Sequence, residues 1–353
     1  MHQPSATRRT RALAAACVVA LSAAVATAAP IATSAMAAEP TAVAGRAERD
    51  VTLMLDWVPN PDHVGLYWAK ENGLFAKRGL KVALRAPSDP SAPIRLVGVG
   101  KADLAVSYEP ELFFAAAKRL PVVAVASIVP QPLNSLIALP DSGISSVADL
   151  RGRTVGLSGI PTDAAIFKTM LRYAGLAQDD VRTVTVGFSV LPALLSKKVA
   201  AIIAYRNVEA VQLAQEIDGK PVVVPADRAG VPAYDELVLV ANANRLRSDP
   251  KYAAAVRGAV AALVEGSRAA RADPARAVEL MGRVTEYKAA FLRVSVPETL
   301  RLLAPRSGAA LGCVDRARWQ RYGDWMLATG LLKARVDAAA IVTDAYLPAR
   351  CRR

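Results

Sequence analysis

From Val51 onward the chain alternates short apolar runs with amphipathic stretches, and this rhythm restricts the fold more than any other feature of the sequence. Residues 51–56 read as a buried strand, with 57–62 as the loop beyond it. Residues 66–75 read as a helix, 81–84 as a strand, 94–99 as a helix and 103–107 as a strand. A helix over 110–118 and strands over 121–127 and 134–139 follow. Strands that alternate with helices in this way predict parallel pairing and an α/β fold.

The rhythm restarts after Asp141-Ser142-Gly143. Ser146 is placed to cap a short helix over 147–150, and residues 153–157 read as a strand. Residues 162–174 read as a helix that Gly175 stops. Strand, helix and strand follow over 181–186, 190–197 and 199–204, then a helix over 208–217 and strands over 221–224 and 236–240. Beyond these the pattern is helical: Val256, Val260, Leu263 and Val264 share one face, and Asp273 can cap a helix whose first turn holds Pro274. At 353 residues the chain exceeds the size at which one core keeps growing. The expectation is therefore two α/β lobes joined by a two-strand hinge. Residues 50–140 plus 235–353 would form lobe 1 and residues 141–234 lobe 2.

The first forty residues break the pattern. Arg8, Arg9 and Arg11 precede a nearly unbroken apolar run over 12–29, and Ala35-Met36-Ala37 supplies a small-x-small cleavage pattern. Residues 1–38 are thus expected to be a secretory signal peptide, with Arg8-Arg9 as a partial twin-arginine pattern. Cys17 loosely resembles a lipoprotein attachment site, but it follows Arg11 too closely for a full apolar h-region. The protein is expected to be exported, to the periplasm or the outer face of the cytoplasmic membrane. Without Cys17 the mature chain keeps Cys313 and Cys351, and an even pair in an oxidising compartment reads as one disulfide. The two histidines, His2 and His63, cannot build a zinc site, so no metal and no cofactor are expected.

Hydrophobic residues make up 53% and charged residues 21%, as in an ordinary globular protein. The formal net charge of +13 is scattered, without a long basic run or a nucleic-acid-binding motif, so no nucleic acid is expected as a partner.

The segment richest in chemistry is Leu55-Asp56-Trp57-Val58-Pro59-Asn60-Pro61-Asp62-His63-Val64-Gly65-Leu66-Tyr67. A strand feeds a Pro-Asn-Pro turn that presents an indole at the strand's carboxyl end, where open α/β sheets bind ligands. The competing reading packs Trp57 into the core and leaves His63 capping a turn. Ser107-Tyr108-Glu109, Gln131-Pro132-Leu133-Asn134-Ser135 and Tyr205-Arg206-Asn207-Val208-Glu209 also flank strands, so each can face the same crevice. Two tyrosines (Tyr108, Tyr205), two carboxylates (Glu109, Glu209) and two carboxamides (Asn134, Asn207) suit a flat nitrogen heterocycle. The rings would stack on it and the carboxylates accept its N–H groups. A carboxylate acid–base pair is the other possibility, but no nucleophile–base array or phosphate-binding glycine loop accompanies it.

These motifs, with Asp149-Leu150-Arg151-Gly152 and Tyr322-x-x-Trp325, resemble the NMT1/THI5-like family of thiamine-pyrimidine-precursor-binding proteins over most of residues 51–349. The resemblance implies a type II periplasmic-binding-protein fold serving an ABC importer, with a formylaminopyrimidine or hydroxymethylpyrimidine as the ligand. Carried over by position, Trp57 would stack on the pyrimidine, with Tyr108 or Tyr205 on its other side. Glu209 would take the ring amino group, and Asn60 and His63 would shape the pocket edge. Glu109, Asn134, Ser135 and Asn207 complete the candidate set. The family's eukaryotic branch synthesises the pyrimidine with a histidine that His63 matches and an iron-binding cysteine run, which this chain lacks. Two departures stand out: Pro61-Asp62 replaces the Thr-Asn common in that turn, and Arg206 stands where an aromatic is common. Relatives of the fold also bind riboflavin-like, sulfonate, taurine or nitrate ligands, and for an anion Arg206 is the obvious cation. A monomer that hands a small molecule to an ABC permease, without catalysis, is the resulting expectation.

Overall fold

A computed structural model describes residues 48–305 and 308–351. The expected signal peptide, Cys17 included, lies outside the described residues.

Ten strands are present among the described residues: β1 (Arg49–Met54), β2 (Leu80–Arg85), β3 (Leu104–Ser107), β4 (Val122–Val129), β5 (Asn134–Ala138), β6 (Thr154–Leu157), β7 (Arg182–Thr185), β8 (Ala201–Tyr205), β9 (Val222–Pro225) and β10 (Leu237–Asn242). They form two five-stranded sheets, ordered β2-β1-β3-β10-β4 and β7-β6-β8-β5-β9, each covered by helices to make one lobe.

The pairing departs from the all-parallel expectation at two strands. β1 runs parallel to β2 and β3, and β6 runs parallel to β7 and β8. β10 is antiparallel to both its neighbours in the first sheet, and β5 is antiparallel to both of its own in the second. The cause is connectivity. A parallel partner needs a crossover that returns to the starting edge of the same sheet. β5 and β10 each arrive from the other lobe, so no such return is required of them.

β5 also moves one lobe boundary. The sequence pattern puts residues 134–139 in lobe 1, with lobe 2 beginning at 141, yet β5 hydrogen-bonds between β8 and β9 in the second sheet. The first crossing therefore spans 130–133. Asn134–Ala138 is buried along its whole length, so it shows no polar face from which its sheet could be read. The second crossing leads into β10.

The long helix Pro250–Ala272 packs across Val64–Glu71, and two glycines set how close they come. A Cβ on Gly65 would sit 2.1 Å from Ser267 Oγ, and one on Gly266 would sit 2.4 Å from the Gly65 carbonyl oxygen. Only bare backbone allows that approach, which anchors the turn just before Val64 against the core. Asp273 caps the helix Pro274–Val284 through the Arg276 N–H, with Pro274 in the first turn. Among the described residues no helix is long and apolar enough to cross a membrane.

Cys313 and Cys351 are joined in a disulfide across a sequence separation of 38 residues. It ties the final turn, Ala349–Cys351, to the loop before the helix Arg316–Ala328. Closing a loop of this length stabilises the fold by about 4 kcal/mol through the unfolded chain. Reduction, or a paired Cys313→Ser and Cys351→Ser change, is expected to lower the melting temperature by roughly 5–15 °C in a calorimetric scan. An unchanged melting temperature would mean that the tail is anchored without the bond.

Candidate functional site

β1 ends at Met54 and the chain turns away from the sheet at Asp56. Asp56 is buried and accepts two hydrogen bonds, from His63 Nε2 at 2.7 Å and from the Tyr108 hydroxyl at 2.9 Å. His63 Nδ1 accepts the Asn60 N–H at 3.2 Å, so the proton of the ring sits on Nε2, facing Asp56. Asn60 Oδ1 accepts the Asp62 N–H at 2.8 Å, which closes the turn Pro61–His63. With its neighbours pinned in this way, Trp57 projects toward the second lobe. It meets Phe188 edge-on, with ring centroids 4.5 Å apart.

A slot of about 400 Å³, counting the space at its mouth, lies between the lobes. Asp56, Trp57, Asn60 and Tyr108 wall it from lobe 1, and Ser158, Ile160, Asp163, Val190, Tyr205 and Glu209 from lobe 2. Asn134 lines it at the first crossing.

Six of the ten sequence candidates therefore reach the slot: Trp57, Asn60, Tyr108, Asn134, Tyr205 and Glu209. The other four stand behind it, each with a structural partner. His63 is only 1% exposed and holds Asp56. Glu109 accepts the Asp235 N–H at 2.6 Å, and Ser135 donates to the Leu133 carbonyl at 3.1 Å. Asn207 joins the lobes: its Nδ2 donates to Asp62 Oδ1 at 2.7 Å and to Thr299 Oγ1 at 2.8 Å. Asp62 is thus one half of an interlobe clasp. A second clasp is Thr162, whose N–H and hydroxyl both donate to Glu111 Oε1 at 3.0 Å. With Trp57 against Phe188, these contacts hold the lobes closed around the slot.

Ser158 and Asp163 were missed by the sequence reading. They bond to each other at the carboxyl end of β6. The run of small residues Ser158-Gly159 before Pro161, where a strand passes into a helix, is the signal that marks such a turn. Glu236 was missed too. It accepts the N–H groups of Leu133 at 2.6 Å and Asn134 at 2.9 Å, Asn134 Nδ2 at 3.0 Å and the Tyr234 hydroxyl at 2.7 Å. The Tyr205 hydroxyl reaches it more loosely, at 3.4 Å.

The electrostatics of the slot run against those of the whole chain. No Lys or Arg lines it. Arg206, the sequence candidate for an anion, turns away toward Asp227 at 3.9 Å. Burial pushes the Glu209 carboxyl up to about 7, partly opposed by the Tyr205 N–H that it accepts. Burial likewise pushes Asp163 up to about 7 against the hydrogen bonds from Ser158. The Tyr108 and Tyr205 phenols are driven well up by burial and by nearby carboxylates, so both stay protonated. The slot thus offers aromatic faces and carboxyl oxygens, and lacks a fixed positive charge.

The family model described as "NMT1/THI5 like" matches residues 60–277. The chain belongs to the NMT1/THI5-like family. A Haemophilus influenzae protein named for thiamine biosynthesis is 37% identical over 291 residues, covering 81% of this chain and 89% of its own. The "Formylaminopyrimidine-binding protein" of Halalkalibacterium halodurans is 35% identical over 312 residues, covering 86% and 93%. Among solved structures, the periplasmic aliphatic sulphonate binding protein SsuA of Escherichia coli superposes with a TM-score of 0.64 at 17% identity, covering 83% and 92%. This NMT1/THI5-like chain therefore has the two-lobed periplasmic-binding-protein fold.

A carboxyl held protonated in the folded protein binds its proton more tightly than the unfolded chain does. Stability is therefore lost as pH rises from the ordinary carboxylate value of 4.5 toward about 7. Glu209→Gln removes that loss. Without ligand, the variant is expected to melt higher than the wild type at pH 8, by up to about 3 kcal/mol, and close to it at pH 5. Calorimetry at the two pH values checks this, and equal shifts at both would refute the buried proton.

Proposed function

We propose that this protein is the extracytoplasmic solute-binding subunit of an ABC importer and that it takes an aminopyrimidine of the thiamine-precursor type. The observation that carries this reading is the slot itself, narrow, walled by Trp57, Tyr108 and Tyr205, and supplied with carboxyl acceptors but no Lys or Arg. A flat heterocycle stacks on Trp57, with Tyr108 or Tyr205 across from it, and Glu209 receives the ring amino group. The name of the Halalkalibacterium halodurans relative supports that ligand class. A sulfonate or nitrate would bring a full negative charge to carboxyls with no cation to meet it, which is unfavourable.

The protein acts by binding, without catalysis. In the synthase reading, the histidine at position 63 would have to reach substrate. Here His63 is buried behind Asp56 and bonded at both ring nitrogens. Closure of the lobes on the ligand gives the permease a surface to recognise. The basic, Ala-rich leader with its cleavage-like site supports export. The protein is taken to act as a monomer.

A thermal-shift panel on the mature protein tests the ligand class, using 4-amino-5-hydroxymethyl-2-methylpyrimidine, riboflavin, taurine and nitrate. The pyrimidine at a hundredfold over its Kd is expected to add about 2.7 kcal/mol of stability. A response to taurine alone would overturn the reading.

Trp57→Ala is expected to weaken pyrimidine binding by about a hundredfold or more, while the free protein still unfolds in one cooperative transition. Calorimetric titration and melting of the same sample separate the two effects. Loss of the transition would make Trp57 part of the core.

A further inference from the structure

The slot does not end at Trp57. Trp57, Val190 and Glu209 also line a second, larger hollow, a groove of about 1370 Å³ that opens to solvent. Its apolar wall is built from Trp57, Phe188, Leu191 and Pro192, with Tyr287 facing from the loop after the helix Pro274–Val284. Its charged lining consists of Glu209, Glu216 and Glu286, with no Lys or Arg. Glu209 and Glu216 lie two turns apart on one face of the helix Glu209–Glu216. Glu216 pairs with Lys288 at 3.5 Å in an exposed ion pair at the rim. On a chain of net charge +13, an acidic groove continuous with the slot is a local arrangement that the composition does not supply.

We infer that the ligand is an aminopyrimidine carrying a second, cationic ring, with the pyrimidine in the slot and the cation in the groove. The inference rests on the pyrimidine reading of the slot. A weakly hydrated, delocalised cation gains from lying on aromatic faces such as Trp57, Phe188 and Tyr287, and from nearby carboxylates. A phosphate ester at the same position would meet three glutamates and, at the rim, a Lys288 already paired with Glu216, so the groove discriminates against phosphorylated pyrimidines. Glu209 stands in the wall common to both hollows and is only 9% exposed, so it is desolvated where the two ligand halves would join.

Isothermal titration with three probes tests this: 4-amino-5-hydroxymethyl-2-methylpyrimidine, its phosphate ester, and thiamine, in which a thiazolium is attached to the same pyrimidine. Thiamine is expected to bind at least about tenfold more tightly than the parent pyrimidine, and the phosphate ester at least about tenfold more weakly. Glu216 and Glu286 are exposed, so a Glu216→Gln, Glu286→Gln double variant should fold. It is expected to lower thiamine affinity about five- to tenfold and to leave the parent pyrimidine within about twofold. Parent binding without a thiamine advantage overturns the groove assignment alone, as does an advantage that survives in the double variant. Binding of neither compound overturns the pyrimidine reading and this inference together.

Discussion

One buried carboxylate organises the centre of the molecule. Glu236 sits on the second crossing and gathers the N–H groups of Leu133 and Asn134 from the first, with Tyr234 and Asn134 adding side-chain donors. A fully buried carboxyl is unfavourable unless donors surround it, and burial still holds this one above the usual carboxylate range. Because its donors come from both crossings, the two segments cannot drift apart without exposing an unsatisfied acid. β5 and β10, the two antiparallel strands, both begin at this junction. The slot lies alongside, with Asn134 and Tyr205 bonded to the same carboxylate and also lining the cavity.

The same logic of support repeats around the slot. Asp56 faces the cavity, yet both of its oxygens are already engaged by His63 and Tyr108, so it fixes geometry and leaves the open acceptor work to Glu209 and Asp163. The clasps Asp62–Asn207 and Glu111–Thr162 are also acid-to-donor contacts, made across the lobes. Net charge forecasts none of this. A surplus of thirteen positive charges coexists with a slot whose charged lining is all acidic, because surface Lys and Arg are distributed by solvation and the slot by specific pairing.

Local signals in the sequence carried well into the structure where they were local in origin. Asp273 and Pro274 start a helix, Ser146 and Asp149 cap each other's turn, and the strand before Trp57 ends at Met54, just ahead of the loop that leads into the Pro-Asn-Pro turn. Failures clustered where the deciding contact is distant in sequence. β5 was placed in the wrong lobe because a strand buried along its whole length has no periodicity to say which sheet receives it. Among polar residues beside strand ends, nothing separates a wall residue such as Asn134 from a supporting one such as Asn207. The partners that make the difference, Glu236 for one and Asp62 and Thr299 for the other, lie scores of residues away.

By itself the sequence determined the α/β class, the restart that makes two lobes, the family, and the indole at the end of the first strand. These follow from periodicity and from short contiguous motifs, which act through neighbouring residues. Only the tertiary structure decided which side chains face the slot, that Arg206 leaves it, that burial raises the Glu209 and Asp163 carboxyls to about 7, and that the slot opens into an acidic groove. Those properties depend on burial and on which groups meet across the gap between lobes, and both exist only once the chain has closed on itself.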